Sequence, residues 1–186
     1  MIAVLVLSTA ACGGKSEASQ AADALSAGLS AQQSGDLSTA RAQYQLCLKH
    51  DPTNKVCLYD MGLVAQTEGL LSEADNYYRL SISTDSNYAP AIFNLAIVDT
   101  KTGNVDEAIG LYRRYVSLQP NNASGHLNLG LLLLQNGNTA EGNAELAKAK
   151  QLNPSLSIPT PVPTASSQPS PTPTPAPLAS ASPTAS

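Results

Sequence analysis

AIFNLAIVDTKTGNVDEAIGLYRRYVSLQP, residues 91–120, is the stretch whose reading decides the fold. A small residue, Ala96, sits late in a first helical segment, and Gly103 follows it. A second helical segment carries Ala108 and, one turn further on, Tyr112; Pro120 closes the unit. Each position has a physical reading. A small side chain lets a second helix approach the first, because a larger one would push the two axes apart. Glycine ends a helix because it takes a left-handed conformation at little cost. Ala108 is expected to meet Ala96 across the pair, with Tyr112 filling the gap beside them. Proline cannot continue a helix and fixes the next turn.

Stepping outward by 34 residues in both directions finds the same columns. The turn glycine recurs as Gly35, Gly69, Gly103 and Gly137, and the small residue before it as Gly28, Gly62, Ala96 and Gly130. The second small residue recurs as Ala40, Ala74, Ala108 and Gly142. The bulky residue is Tyr44, Tyr78, Tyr112 and Leu146, and the closing position is Pro52, Ser86, Pro120 and Pro154. Four helix-turn-helix units are therefore predicted, over residues 21–54, 55–88, 89–122 and 123–156. Asp36, Ser72, Asn104 and Asn138 are the expected caps of the second helices, since their side chains accept from free backbone N–H groups. One helix pair cannot cover its own apolar faces; stacking the units builds a continuous core.

The pattern resembles the tetratricopeptide repeat (TPR) family across residues 21–156. Three residues depart from that family's pattern: Asp99 and Tyr115, where it favours tyrosine and alanine, and His126, where it favours a large apolar residue. The resemblance implies an all-α, right-handed α-solenoid whose first helices line a concave face. Residues projecting there are Leu25, Leu29 and Gln32; Tyr59, Asp60 and Leu63; Phe93, Asn94 and Ile97; and Leu127, Asn128 and Leu131. Tyr59, Leu63, Phe93, Asn94, Ile97, Leu127, Asn128 and Leu131 are the candidate peptide contacts. For Leu29, Leu63, Ile97 and Leu131, packing between units is an equal reading. An asparagine amide carries a donor and an acceptor and so hydrogen-bonds a peptide backbone of any sequence. Helices packed roughly 8–10 Å apart make a trough about 30 Å long, room for about eight to ten extended residues. Lys101 is the basic residue near its edge, too little charge for a C-terminal acidic motif.

Composition narrows the function classes. Net charge is −4, with 10 Lys and Arg against 14 Asp and Glu. Arg113 and Arg114 form an adjacent basic pair, but no cluster suited to phosphate binding exists, so nucleic acid is not an expected partner. His50 and His126 lie on different units, with no metal-ligand spacing, phosphate loop or nucleophile–base order around them. No cofactor, metal or catalytic residue is predicted, and the chain is read as a monomeric, non-enzymatic scaffold for a protein or peptide. The alternative is a structural module that self-associates.

The ends carry separate signals. Residues 1–11, MIAVLVLSTAA, form a short apolar run ending in small residues, the pattern of an export signal and too short to span a bilayer. Cys12 follows at once and resembles the lipobox cysteine of bacterial lipoproteins, with Thr9 standing where that family favours Leu, Val or Ile. That resemblance implies lipidation (palmitate among the acyl chains) at Cys12, a linker to residue 20, and anchoring on the extracytoplasmic side of a bacterial membrane. The other reading is an ordinary cysteine behind a cleaved signal. The lack of Lys or Arg before the apolar run implies a translation start further upstream. Residues 157–186 continue a segment rich in Pro, Thr and Ser, expected to be disordered with polyproline character. Cys47 and Cys57 flank one turn; they either pair in an oxidising compartment or pack as two buried thiols.

Overall fold

The structure, a computed structural model, describes residues 14–158. The expected export signal, Cys12 and residues 159–186 of the tail lie outside the described residues. Eight α-helices and no strand are found within them: α1 (Glu17–Gln33), α2 (Leu37–His50), α3 (Lys55–Thr67), α4 (Leu71–Thr84), α5 (Ala89–Thr102), α6 (Val105–Leu118), α7 (Ala123–Gln135) and α8 (Thr139–Leu152). Consecutive helices pack as pairs, α1 on α2 through α7 on α8, and each second helix also packs on the first helix of the next pair. The fold is an all-α helical repeat. Its first helix begins at Glu17, where Ser16 Oγ accepts the Ser19 N–H at 3.2 Å.

Two kinds of glycine hold each pair together for opposite reasons. Gly35, Gly69, Gly103 and Gly137 have φ between 79° and 86°, and an added Cβ would meet nothing within 4 Å. Backbone conformation selects them. Gly28 and Gly62 are ordinary helical residues, but a Cβ there would lie 2.5 Å from Cε1 of Tyr44 and of Tyr78. Close approach selects these, and it corrects the expected contact. In units one and two the first-helix glycine receives the tyrosine ring itself. The small residues meet directly in unit four, where a Cβ on Gly130 would be 2.9 Å from the Gly142 carbonyl oxygen.

The caps also differ from expectation. Asp36 Oδ1 accepts the Thr39 N–H at 3.0 Å. Ser72 lies inside α4, and Leu70, which has no side-chain acceptor, stands at the cap. Asn104 and Asn138 occupy cap positions without capping bonds from their side chains. Position in the repeat places the helix start, whatever side chain falls there. The backbone compensates: the N–H groups of Asp36, Leu70, Asn104 and Asn138 donate to the carbonyls of Ala31, Ala65, Asp99 and Leu133 at 2.8–2.9 Å. Each turn thereby closes on the preceding helix.

The three departures from the repeat pattern each meet a matched partner. Tyr115 is buried against Gly125, where a Cβ would lie 2.7 Å from its ring, and stacks on Phe93 at 4.7 Å between centroids. Buried His126 has Nδ1 2.5 Å from Glu145 Oε2 and Nε2 3.0 Å from the Pro120 carbonyl oxygen. Asp99 is fully buried; Asn104 Nδ2 donates to its Oδ1 at 3.1 Å, and Arg79 Nη2 stands 3.6 Å from its Oδ2.

Successive units are joined in two further ways. Cys47 in α2 and Cys57 in α3 form a disulfide with Cα atoms 6.4 Å apart. On the second-helix face a row of ion pairs runs from unit to unit: Arg41–Glu73 at 2.5 Å, Arg79–Glu107 at 2.6 Å and Arg113–Glu141 at 2.7 Å. Such partly exposed pairs contribute at most about 1 kcal/mol each, but they take up three of the chain's arginines.

Candidate functional site

The first helices α3, α5 and α7 bring the candidate contacts into two open clefts, one repeat apart. The first, about 510 Å³, is lined by Tyr59, Ala89, Pro90, Phe93, Asn94, Tyr115 and Gln119. The second, about 330 Å³, is lined by Ile97, Thr100, Lys101, Tyr112, Asn128, Leu131, Leu132 and Gln135. These volumes fall in the range of small ligand sites. Leu63 and Leu127 are half-buried and line neither cleft; Leu63 packs against the core around Tyr78 and Leu95. Leu29 is exposed at the surface of α1.

Each cleft combines aromatic walls with one asparagine amide. Asn94 Nδ2 donates to the Tyr59 hydroxyl at 3.0 Å, and Asn128 Nδ2 to the Tyr112 hydroxyl at 3.4 Å. Each amide oxygen is left for a ligand N–H. Tyr59 is braced by the Tyr78 ring at 5.9 Å and the Tyr88 ring, edge-on, at 5.6 Å; Phe93 meets Tyr112 edge-on at 5.9 Å. Contacts of this kind hold large apolar surfaces in defined positions. Burial raises the pKa of Tyr59 and Tyr112 above the ordinary phenol value, so both remain neutral donors.

Two hydroxyl–amide pairs recur behind these walls. Tyr44 donates to Gln32 Oε1, and Tyr78 to Gln66 Oε1 at 2.8 Å. The phenol of each second helix thus reaches through to a glutamine of its own first helix. The candidate contacts did not include Tyr112, although it borders the second cleft. Its conserved-register column of Tyr44, Tyr78 and Tyr112 was read as packing alone, and a tyrosine's polar tip was the available signal.

Asp60 stands one repeat before Asn94 and two before Asn128, on the same column. It is 4 % exposed, and its Oδ2 is buried with no hydrogen-bond partner among the described residues. Burial pushes its carboxyl up to about 6. Its charge adds to the burial effect that raises the phenols of Tyr44, Tyr59, Tyr78 and Tyr88. Among the described residues, no group of three or more His, Cys, Asp or Glu is arranged to hold a metal ion, and no helix is long and apolar enough to cross a membrane.

Comparison with known proteins agrees with this architecture. A TPR repeat family model matches residues 98–137, from the end of α5 into the turn after α7. No curated protein sequence matches the chain. Among solved structures, MamA (residues 41 to the end) from Desulfovibrio magneticus RS-1 superposes with a TM-score of 0.68 at 19% identity, over 73% of this chain and 76% of that one. The structure of Pseudomonas aeruginosa pilF gives 0.67 at 24% identity, over 75% and 64%. The first TPR of Spaghetti (RPAP3), bound to the HSP90 peptide SRMEEVD, gives 0.62 at 18% identity, over 64% and 98%. At these identities the likeness is one of fold: the chain has a TPR-type helical-repeat architecture.

Proposed function

We propose that this TPR-type chain is a non-enzymatic scaffold that holds an extended segment of a partner polypeptide along the first-helix face, while Cys12 anchors it by lipid to the outer side of a bacterial membrane. The observation that carries the binding half is the pair of aromatic clefts spaced one repeat apart, each with an amide oxygen available to a peptide N–H. A repeating groove suits a repeating backbone. That a TPR domain of similar fold holds the peptide SRMEEVD supports the mode of binding. The chemistry of the ligand differs, because Lys101 is the cation lining these clefts and two carboxylates of an acidic motif would lack partners. The anchoring half rests on the apolar run of residues 1–11 followed by Cys12. Two acyl chains hold a protein at a bilayer where one binds only reversibly. An anchored scaffold of this kind serves the assembly of envelope or secretion complexes.

The test is affinity capture from membranes with wild type and with Asn94→Ala/Asn128→Ala. The double variant is expected to keep its helical circular dichroism and melting temperature and to lose its partners; undiminished capture by the folded variant refutes the groove assignment. Cys12→Ala is expected to move the protein from the membrane to the soluble fraction. A second reading, self-association, is favoured by Leu46 and Leu80, which are exposed one repeat apart on the second-helix face. Light scattering over a concentration series separates the two, since a chain that stays monomeric is not a self-stacking module.

A further inference from the structure

We propose that Asp60 sets the specificity of this groove by receiving a cationic side chain, lysine or arginine, from the bound segment. The inference rests on the peptide-groove reading above and adds the chemistry of the guest. Asp60, Asn94 and Asn128 occupy one column of the repeat. In the later two units the amide serves as donor and acceptor at once, donating to a tyrosine hydroxyl and leaving an oxygen for a neutral peptide. A carboxylate in the same place has no proton to donate when ionised and brings a full charge. Its demand is for a donor, and best for a charged one.

The protein supplies no such donor. The groups facing Asp60 are phenols: Tyr44 from α2, Tyr59 from α3 itself, Tyr78 from α4 and Tyr88 from the turn before α5. The hydroxyls of Tyr44 and Tyr78 are engaged with Gln32 and Gln66, and that of Tyr59 accepts from Asn94. Nearby cations are also engaged. Lys55 pairs with Asp85 at 2.6 Å and lies 5.3 Å from the Tyr88 ring centre, and Arg41 bridges Glu68 and Glu73. Oδ2 of Asp60 is left buried without a partner, a condition native proteins rarely tolerate without a use for it. Aromatic faces beside a carboxylate favour an ammonium or guanidinium over any neutral guest. A metal ion is a poorer fit, since a lone carboxylate among phenols is far short of the oxygen ligands a hard cation takes. The raised carboxyl pKa agrees with a site that waits for its counter-charge.

The experiment uses dye-labelled, acetylated and amidated alanine–serine–leucine peptides whose central residue is lysine, norleucine or glutamate, read by fluorescence anisotropy. Wild type is expected to bind the lysine peptide roughly tenfold or more tighter than the norleucine peptide, the size of a charge-assisted hydrogen bond, and to bind the glutamate peptide most weakly. Asp60→Asn, which places at this position the residue found at 94 and 128, is expected to fold and to bind lysine and norleucine peptides equally. A carbon-13 titration of the Asp60 carboxyl in wild type gives a readout that needs no variant: the lysine peptide is expected to lower its pKa and the norleucine peptide to leave it in place. Peptides that bind wild type without a lysine preference, or a preference that survives Asp60→Asn, overturn this inference and leave the groove reading standing. Failure of every peptide to bind overturns both.

Discussion

Asp60 makes a stability prediction that is independent of any ligand. The perturbation is Asp60→Asn, measured against wild type from pH 4 to pH 8. Burial raises the carboxyl from 3.8 to about 6 in the folded chain, and each unit corresponds to about 1.4 kcal/mol, so the ionised form costs the fold about 3 kcal/mol. The sign follows from proton counting. Between roughly pH 4 and pH 6 the folded chain binds the proton and the unfolded chain does not, so wild-type stability falls as pH rises through this window. Above it the penalty is fully present; below it, the neutral acid and the amide are equivalent in charge. Asparagine never titrates, so the variant is expected to overtake wild type by up to about 3 kcal/mol at pH 8, with the gap closing toward pH 4. The assay is urea unfolding followed by circular dichroism, with both proteins at each pH so that His50, His126 and Asp99 cancel. A difference that does not change with pH refutes the reasoning, as does a wild type that gains on the variant when pH is raised.

Three further outcomes follow from packing. Gly62→Ala places a methyl 2.5 Å from the Tyr78 ring and is expected to lower stability by about 1–3 kcal/mol by overpacking; a melting temperature equal to wild type would show that the helix pair has slack. Gly69→Ala meets no atom, but its φ of 79° makes alanine strained, and a loss of about 1–2 kcal/mol is expected in urea unfolding. Cys47→Ser with Cys57→Ser opens a short loop and is expected to cost about 2–3 kcal/mol under oxidising conditions, and wild type treated with reductant should show a similar loss.

The fold was legible because its governing constraint is local and repeated. Gly35, Gly69, Gly103 and Gly137 share one backbone conformation, and a column of like residues at constant spacing exposes it without any knowledge of tertiary contacts. What the columns left unread is what crosses between them. Ser72 looked a better cap than Leu70, but register overruled side-chain chemistry. Tyr115 read as a departure until Gly125, in a different column, proved to make room for its ring. Asn104 read as a cap, yet its amide serves Asp99. For Cys47 and Cys57, the spacing was compatible with a bridge or with two thiols, and the structure joins them. Asp60 was placed on the groove face, and nothing in the spacing alone distinguished a satisfied carboxylate from an unpartnered one.

The sulfur bridge between α2 and α3 gives the row of helices two unlike ends. Units one and two cannot peel apart while it is intact, whereas α8 packs on α7 with no unit beyond it among the described residues. A linear array opens from whichever terminus is least restrained. Fraying therefore starts at α8 and travels back toward the bridge, and amide protons should exchange fastest in the final hairpin. Chemical reduction would release the opposite terminus and let the array fray from both ends.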